Sequence, residues 1–344
     1  MKSTVRTLVV LALAVGLLAL FLRNVDMARV GSGIAQAELS WLALSVTTMI
    51  VNLAIRSLRW QYLLEPLGHV SFGEAFRATA VGFAASSVLP ARAGEVIRPY
   101  FLARQARRQG LSATGAFATV ILERLLDMVT VLALLGSFVF FFGRGLQANS
   151  AMLAGVTWAG ATAGVAAAVA LVVLFVLSGD PARLGRAMAR LEQVAPSSLA
   201  AWLARVTENF AGGLAVIRRP SRLFVALAWS FPLWLTIAAG IWSVAKAFQL
   251  AVPFTGTFLL MALLVVGVAV PTPGAIGGFH EAFRVGATMF YGAREEAAVG
   301  AAIVLHLFSI GPALLLGLWF AAREGLNLSG MRRLAERPEP SHTV

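Results

Sequence analysis

The sequence predicts an all-α polytopic membrane protein of about eight transmembrane helices, with two Pro/Gly-broken or re-entrant segments in a two-repeat arrangement. Three observations predict it. The 344 residues are 59% hydrophobic and only 13% charged, at a mean hydropathy of +0.81, which leaves too little polar material to solvate a globular surface. The apolar runs have the length of roughly 17–25 residues that crosses a hydrocarbon core about 30 Å thick. Two of them, 87–98 and 271–284, are broken by proline and glycine, lie in opposite halves, and each carries a Glu-x-x-Arg: Glu95 with Arg98 and Glu281 with Arg284. Interrupted apolar segments at corresponding places in two halves mark the binding region of many transporters.

Taken in order, the chain opens with Lys2 and Arg6 before an uncharged run over 7–22. A signal peptide would have this shape, but the nominal cleavage tripeptide Ala35-Gln-Ala37 lies beyond Arg23, Asp26 and Arg29, so an uncleaved first helix is expected. A second helix starts near Trp41 and ends within 55–64. Arg56 and Arg59 are expected there to snorkel to the interface, with Trp41 and Trp60 as aromatic belt residues. Between positions 56 and 108, eight arginines face Glu65, Glu74 and Glu95, which marks that side as cytoplasmic. Inside this region 78–89 is apolar but too short to span, and it stops at Pro90. A half-helix that enters the bilayer and turns back fits it.

The next run, 111–142, would be about 48 Å long as a helix and holds Glu123, Arg124 and Asp127 well inside it. A further crossing covers 151–177. The segment 180–222 is basic, and Leu203, Val206, Phe210, Leu214 and Ile217 recur at helical spacing, so a cytoplasmic helix lying in the interface is expected. The second apolar half then runs through 223–245, 254–270, the broken segment to Tyr291, and 297–322. The tail, with Arg323, Arg332, Arg333 and Arg337, is placed in the cytoplasm. The result is one membrane domain over 1–344, with repeat halves at about 40–177 and 223–322 joined by the linker 180–222.

Composition also excludes chemistry. The chain has no cysteine, and His69, His280, His306 and His342 have no metal-ligand spacing, so no metal or cofactor is expected. The net charge of +12 sits in the gaps between apolar runs, a distribution that fits anionic headgroups and not nucleic acid. The Ala-, Arg- and Leu-rich composition points to a bacterium.

A charge near the bilayer centre costs about 2.5–3.5 kcal/mol even on the mild insertion scale, so Glu123, Arg124 and Asp127 require partners or a wet cavity. Glu123 and Asp127 share a helix face, and Arg124 can pair with Asp127. They form either an internally neutralised cluster that fixes packing or a cavity wall that handles a charged headgroup or protons. Arg92, Glu95 and Arg98 follow Pro90 and Gly94: either a cytoplasmic loop with a local ion pair, or a dip into the membrane that presents two guanidiniums suited to phosphate. Pro271, Pro273, Gly274, Gly277 and Gly278 interrupt the second half just before Glu281 and Arg284. His306 occupies the place in the second half that Glu123 occupies in the first when 302–306 is set beside 119–123.

The motifs Arg56-Ser-Leu-Arg-Trp60, Leu89-Pro-Ala-Arg-Ala-Gly-Glu95-Val-Ile-Arg98, Leu122-Glu-Arg-Leu-Leu-Asp127 and Pro271-Thr-Pro-Gly-Ala-Ile-Gly-Gly-Phe-His-Glu281 resemble the lysylphosphatidylglycerol synthase transmembrane-region, or flippase-like, family over nearly the whole chain. In the two-part synthases this region flips an aminoacylated phospholipid and a separate soluble domain performs the aminoacyl transfer. Apolar segments occupy this chain to Ala322, so the synthase activity is not carried over. The second motif is longer than the family's Pro-Gly-Gly-Leu-Gly type run before its Glu.

The expectation is therefore a lipid transporter, not an enzyme, in the bacterial inner membrane with a cytoplasmic N-terminus. Its partners would be membrane lipids, the substrate being anionic or lipid-linked. Arg92, Arg98 and Arg284 would meet the headgroup; Glu95, Glu123, Asp127 and Glu281 would exchange partners with them; Arg124, Pro273, Gly274, Gly277 and His306 complete the candidate site. The alternatives are a membrane-embedded headgroup transferase with Glu123 or Glu281 as general base, and a non-transporting subunit of a lipid-processing complex.

Overall fold

A computed structural model describes residues 2–23, 25–89, 92–106, 110–142, 150–177, 197–270 and 272–325, and every regular element among them is helical. The expectations for 180–196, for Pro90 and Pro271 and for the tail beyond 325 lie outside the described residues. The helices are α1 (Lys2–Phe21), α2 (Met27–Ala35), α3 (Leu39–Leu64), α4 (Phe72–Val88), α5 (Gly94–Gln105), α6 (Ala113–Phe141), α7 (Ser150–Leu177), α8 (Ser197–Gly213), α9 (Pro220–Ala247), α10 (Thr257–Ala269), α11 (Gly278–Tyr291) and α12 (Glu295–Arg323). Among them α3, α6, α7, α9 and α12 are long and apolar enough to cross a membrane, and Ala12–Phe21 of α1 and α10 are shorter apolar helices.

Local chemistry sets the starts. Ser71 and Glu74 form a reciprocal capping box on α4, with the Glu74 carboxylate accepting from the Ser71 backbone N–H at 2.8 Å. Ser112 Oγ accepts from the Gly115 N–H to start α6, and Pro220 occupies the first turn of α9, where its missing N–H is harmless. Asp26 caps α2, a short helix absent from the sequence expectation although its N-cap signal was present. Ser71→Ala is expected to cost about 1 kcal/mol, read as a fall in the melting midpoint of the purified protein.

The same order of elements occurs twice: a long helix, two short ones, a long helix. α3, α4–α5 and α6 make the first set; α9, α10–α11 and α12 make the second. The leading helices pack against each other. Ser45 Oγ donates to the Gly240 carbonyl, Asn52 Nδ2 to the Leu233 carbonyl at 2.8 Å, and Arg59 Nη1 to Ser230 Oγ at 2.7 Å. Partner numbers fall as α3 advances, so α3 and α9 are antiparallel and the two sets are inverted relative to one another, as in inverted-repeat transporters.

The short helices are hairpins. α3 and α6 also run antiparallel, with Arg56 on Asp127, Arg59 on Glu123 and Trp60 on Thr119, so α4–α5 leaves and returns at one end of the bundle. In the second set Tyr291 Oη donates to the Gly256 carbonyl, and a methyl group on Gly286 would press on Leu260, pairing the open ends of α10 and α11. With α3 and α9 antiparallel, the two hairpins enter from opposite ends. Their tips meet: a methyl group on Gly274 would lie 3.4 Å from the Ser87 carbonyl.

Close approach within each hairpin rests on one glycine pair. A Cβ on Gly94 would collide with the carbonyl of Gly82, and one on Gly278 with the carbonyl of Gly267. A Cβ on Gly82 would meet Cβ of Arg98 at 2.8 Å, and one on Gly267 would meet Cβ of Ala282 at 2.8 Å. Ala282 is thus the counterpart of Arg98. The two Glu-x-x-Arg motifs, alike in chemistry, are two residues out of register; the glycines carry the repeat.

α7 and α8 lie between the repeats. α7 rests its Gly160 on Leu132 and Leu135 of α6, and α8 closes on the start of α6 where Gly213 meets Gly115. The expected interfacial helix through Ile217 ends at Gly213, and a 3-10 turn over Ala215–Arg218 buries Val216 and Ile217 beside Leu214.

Candidate functional site

Where α3, α5, α6 and α9 converge, the chain buries charge. One face of α6 carries Thr119, Glu123, Asp127 and Thr130 at four- and three-residue intervals, all buried. The facing stripe of α3 carries Asn52, Arg56, Arg59 and Trp60, also buried. Arg59 sits at the centre with no exposed surface. Its Nη1 donates to Asp127 Oδ1 and Ser230 Oγ, both at 2.7 Å, and its Nη2 to Glu123 Oε1 at 3.2 Å. Arg98, brought in by α5, donates from Nη1 to Glu123 Oε2 at 2.7 Å while its guanidinium lies 3.7 Å from the Trp60 ring centre, a cation–π contact. Trp60 is held in turn by its indole N–H on Thr119 Oγ1 at 2.9 Å. Arg56 reaches Asp127 Oδ2 at 3.5 Å and faces Phe83, and Trp234 of α9 donates to Asp127 Oδ1 at 3.0 Å.

At the rim, Arg124 pairs with Asp127 at 3.4 Å, as its spacing predicted, and touches Glu95 at 4.0 Å. Arg92, with φ of 54°, approaches Glu95 at 3.9 Å. Arg98 does not pair with Glu95 one turn away; it pairs with Glu123. Three buried guanidiniums therefore face two buried carboxylates, and Arg92 and Arg124 at the rim face Glu95, so the network keeps an excess of positive charge. Several of its donors, Nε and Nη2 of Arg98 and Nε of Arg56 and Arg59, are buried without an acceptor among the described residues. Guanidinium donors of that kind match phosphate or carboxylate oxygens.

Arg56, Arg59 and Trp60 are the residues that sequence reasoning misplaced. They do not reach the interface; Arg56 and Arg59 are ligands of the α6 carboxylates, and Trp60 is a buried platform for Arg98. The available signal was complementary spacing: two arginines three apart on one apolar helix and two acids four apart on another. Ser230 and Trp234 gave no signal of their own.

The other candidate residues form a second cluster at the break before α11. Pro273 lies in a 3-10 turn with Gly274 and Ala275, and Gly274 and Gly277 have φ of 59° and 88°, where glycine is favoured. His306 of α12 holds the Gly274 carbonyl through Nε2 at 2.7 Å. His280, passed over in the sequence, accepts the Gly277 N–H at Nδ1 (3.3 Å) and lies 4.4 Å from the His306 ring. Glu281 pairs with Arg284 at 2.5 Å, and Arg284 also binds Glu295. The expected headgroup trio is thus divided: Arg92 and Arg98 belong to the first cluster, whereas Arg284 is neutralised in the second. No group of three metal-ligating side chains occurs among the described residues.

Comparison with known proteins adds two findings. The model of the family described as "Lysylphosphatidylglycerol synthase TM region" matches residues 7–317. Glycosyltransferase AglD of Haloferax volcanii is 29% identical over 138 residues, a stretch that takes in 39% of this chain and 22% of that protein.

Proposed function

The chain belongs to the lysylphosphatidylglycerol synthase transmembrane-region family, and on that premise we propose that it moves an anionic or lipid-linked amphipath between the leaflets of a bacterial inner membrane by alternating access. The observation that carries this proposal is the meeting of two inverted hairpins, tip to tip, next to a buried network with surplus positive charge and unpaired guanidinium donors. Rocking of one repeat against the other would open the central layer first to one side and then to the other. Arg98 is the group that binds the headgroup: it rides on a hairpin, keeps free donors, and can exchange the Glu123 carboxylate for a phosphate oxygen. Glu123 and Asp127 hold Arg59 and Arg56 in place when the headgroup leaves.

Basic residues orient the chain. With the N-terminus in the cytoplasm, α1, α3, α6, α7, α9 and α12 cross, the first hairpin enters from the cytoplasm and the second from outside. Six crossings and two hairpins account for the eight apolar segments and leave the basic stretches 56–108 and 180–222 inside.

The test is dithionite quenching of a fluorescent phosphatidylglycerol in liposomes holding the purified protein. Arg98→Ala is expected to slow lipid movement about tenfold or more, the value of one charge-assisted hydrogen bond, with Arg98→Lys restoring little because it lacks the planar fork. Unchanged movement in both Arg98→Ala and Glu123→Gln would sink the site. The name of the Haloferax volcanii relative favours one alternative, a lipid-headgroup transferase. Its mark would be a mass-shifted lipid made by the same liposomes when a sugar donor is added.

A further inference from the structure

The transport proposal uses the first hairpin's charges and leaves His280 of the second hairpin and His306 of α12 without a task. His280 lies at the first turn of α11, 6% exposed, and His306 lies mid-way along α12, in the place that Glu123 takes on α6. Each holds the backbone of the break between them. A carbonyl accepts only from an N–H, so His306 carries its proton on Nε2 and donates it to Gly274. A backbone N–H needs a lone pair, so His280 Nδ1 is unprotonated where it accepts from Gly277. The contacts thus fix opposite demands on two rings 4.4 Å apart: one donates to the tip, the other must stay an acceptor to hold it.

Among the described residues, the charges near the two rings are paired, engaged elsewhere or exposed. The other ring neighbours are Phe21 of α1 and Phe279. On α11 itself, Glu281 and Arg284 are paired with each other and with Glu295 at the start of α12. On α2, Arg29 contacts Asp26 and Glu296. α10 has no titratable side chain, the α4 tip presents Ser87, and the charges of α4, Glu74 and Arg77, lie at its far end. On α3, Arg56 and Arg59 are held by Asp127 and Glu123; on α9, Lys246 lies over Trp242 and Arg222 on Glu65. Arg23, two residues beyond Phe21, is exposed.

We propose that the adjacent His280–His306 pair is a proton-binding site that latches the second hairpin, and that a proton is the ion coupled to lipid movement; the coupling, though not the latch, rests on the transport proposal. One proton added to Nδ1 of His280 makes the ring an imidazolium with two N–H groups and no acceptor. The Gly277 N–H then loses its partner at a glycine with φ of 88°, and a positive ring faces His306. The break before α11 loosens, its contact with Ser87 at the tip of the first hairpin is released, and the central layer opens on the side from which the second hairpin enters. Loss of the proton restores the acceptor and the latch.

The experiment is hydrogen–deuterium exchange of the full protein in lipid nanodiscs, read on peptides covering 272–281 and corrected for the intrinsic pH dependence of exchange. In the native protein, protection there is expected to fall about tenfold or more between pH 8 and pH 4, while α6 around Glu123 stays protected. In His280→Gln the pH response should vanish, and in His306→Leu, which removes the donor to the Gly274 carbonyl, the segment should be open at both pH values. His69→Gln, on an exposed residue, should behave as native. A pH-independent segment in the native protein, or an undiminished response in His280→Gln, overturns the latch. Because no lipid movement is read, that failure is separate from failure of the transport proposal. Coupling is read in the quenching liposomes: an imposed pH gradient should accelerate movement in the native protein and leave His280→Gln at its gradient-free rate. An equal response in both would overturn the coupling alone.

Discussion

Arg59→Ala is expected to destabilise the folded protein by about 3–5 kcal/mol, the cost of removing one partner from a buried ion pair. Arg59 has no exposed surface and joins four groups on two other helices: Glu123, Asp127 and Ser230 directly, and Trp234 through the shared Asp127 oxygen. Truncation leaves Asp127 to the longer Arg56 contact and to Arg124 at the rim, and leaves half of Glu123 unmatched. The two carboxylates, one helical turn apart, would then repel with less positive charge between them. In detergent the variant should melt at a markedly lower temperature. The double variant Arg59→Met with Asp127→Asn should recover part of the loss, because Asp127 is then no longer a buried carboxylate deprived of its main partner. If Arg59→Ala melts with the native protein, the network has no structural weight.

Arg59 also marks the limit of what the sequence discloses. Apolar run length located the long helices, with α6 and α7 expected at 111–142 and 151–177 and found at Ala113–Phe141 and Ser150–Leu177. Both breaks, between α4 and α5 and between α10 and α11, were legible from proline and glycine alone. Glu123 and Asp127 stood out because charge inside an apolar run demands a partner. The partner's identity was not legible: Arg56 and Arg59 lie within one or two turns of the end of α3, where snorkelling explains an arginine equally well. Only the position of α6 against that stripe decides between the two, and it is a tertiary fact.

The repeat illustrates the converse. The eye is caught by two Glu-x-x-Arg motifs, yet the backbone pairs Arg98 with Ala282. Chemical likeness between short motifs arises by chance, whereas a glycine at a helix crossing is fixed by the backbone distance there. Gly82 with Gly94 and Gly267 with Gly278 were the informative residues. The two halves have diverged in chemistry: the first hairpin delivers an arginine to a carboxylate, and the second has an alanine at that place and histidines at the break.

That difference gives the second large prediction. Gly94→Ala adds a methyl group against the Gly82 carbonyl and the Ser86 hydroxyl, and Gly278→Ala adds one against the Gly267 carbonyl. Backbone cannot yield as a flexible side chain would, so each is expected to cost about 1–3 kcal/mol or more as the hairpin is forced apart. Gly136→Ala, which meets nothing within 4 Å, serves as the control and should melt at or above the native temperature. The functional consequences should differ between the hairpins. Spreading α4 from α5 moves Arg98 off Glu123 and Trp60, so Gly94→Ala should lose lipid movement even at temperatures where it stays folded. Spreading α10 from α11 displaces Gly277 and His280, so Gly278→Ala should instead lose the pH response of the 272–281 segment while the α6 network stays protected from exchange. Should both variants lose the same property, the two hairpins would be acting as one rigid unit, and the division of labour between headgroup binding and proton binding would be wrong.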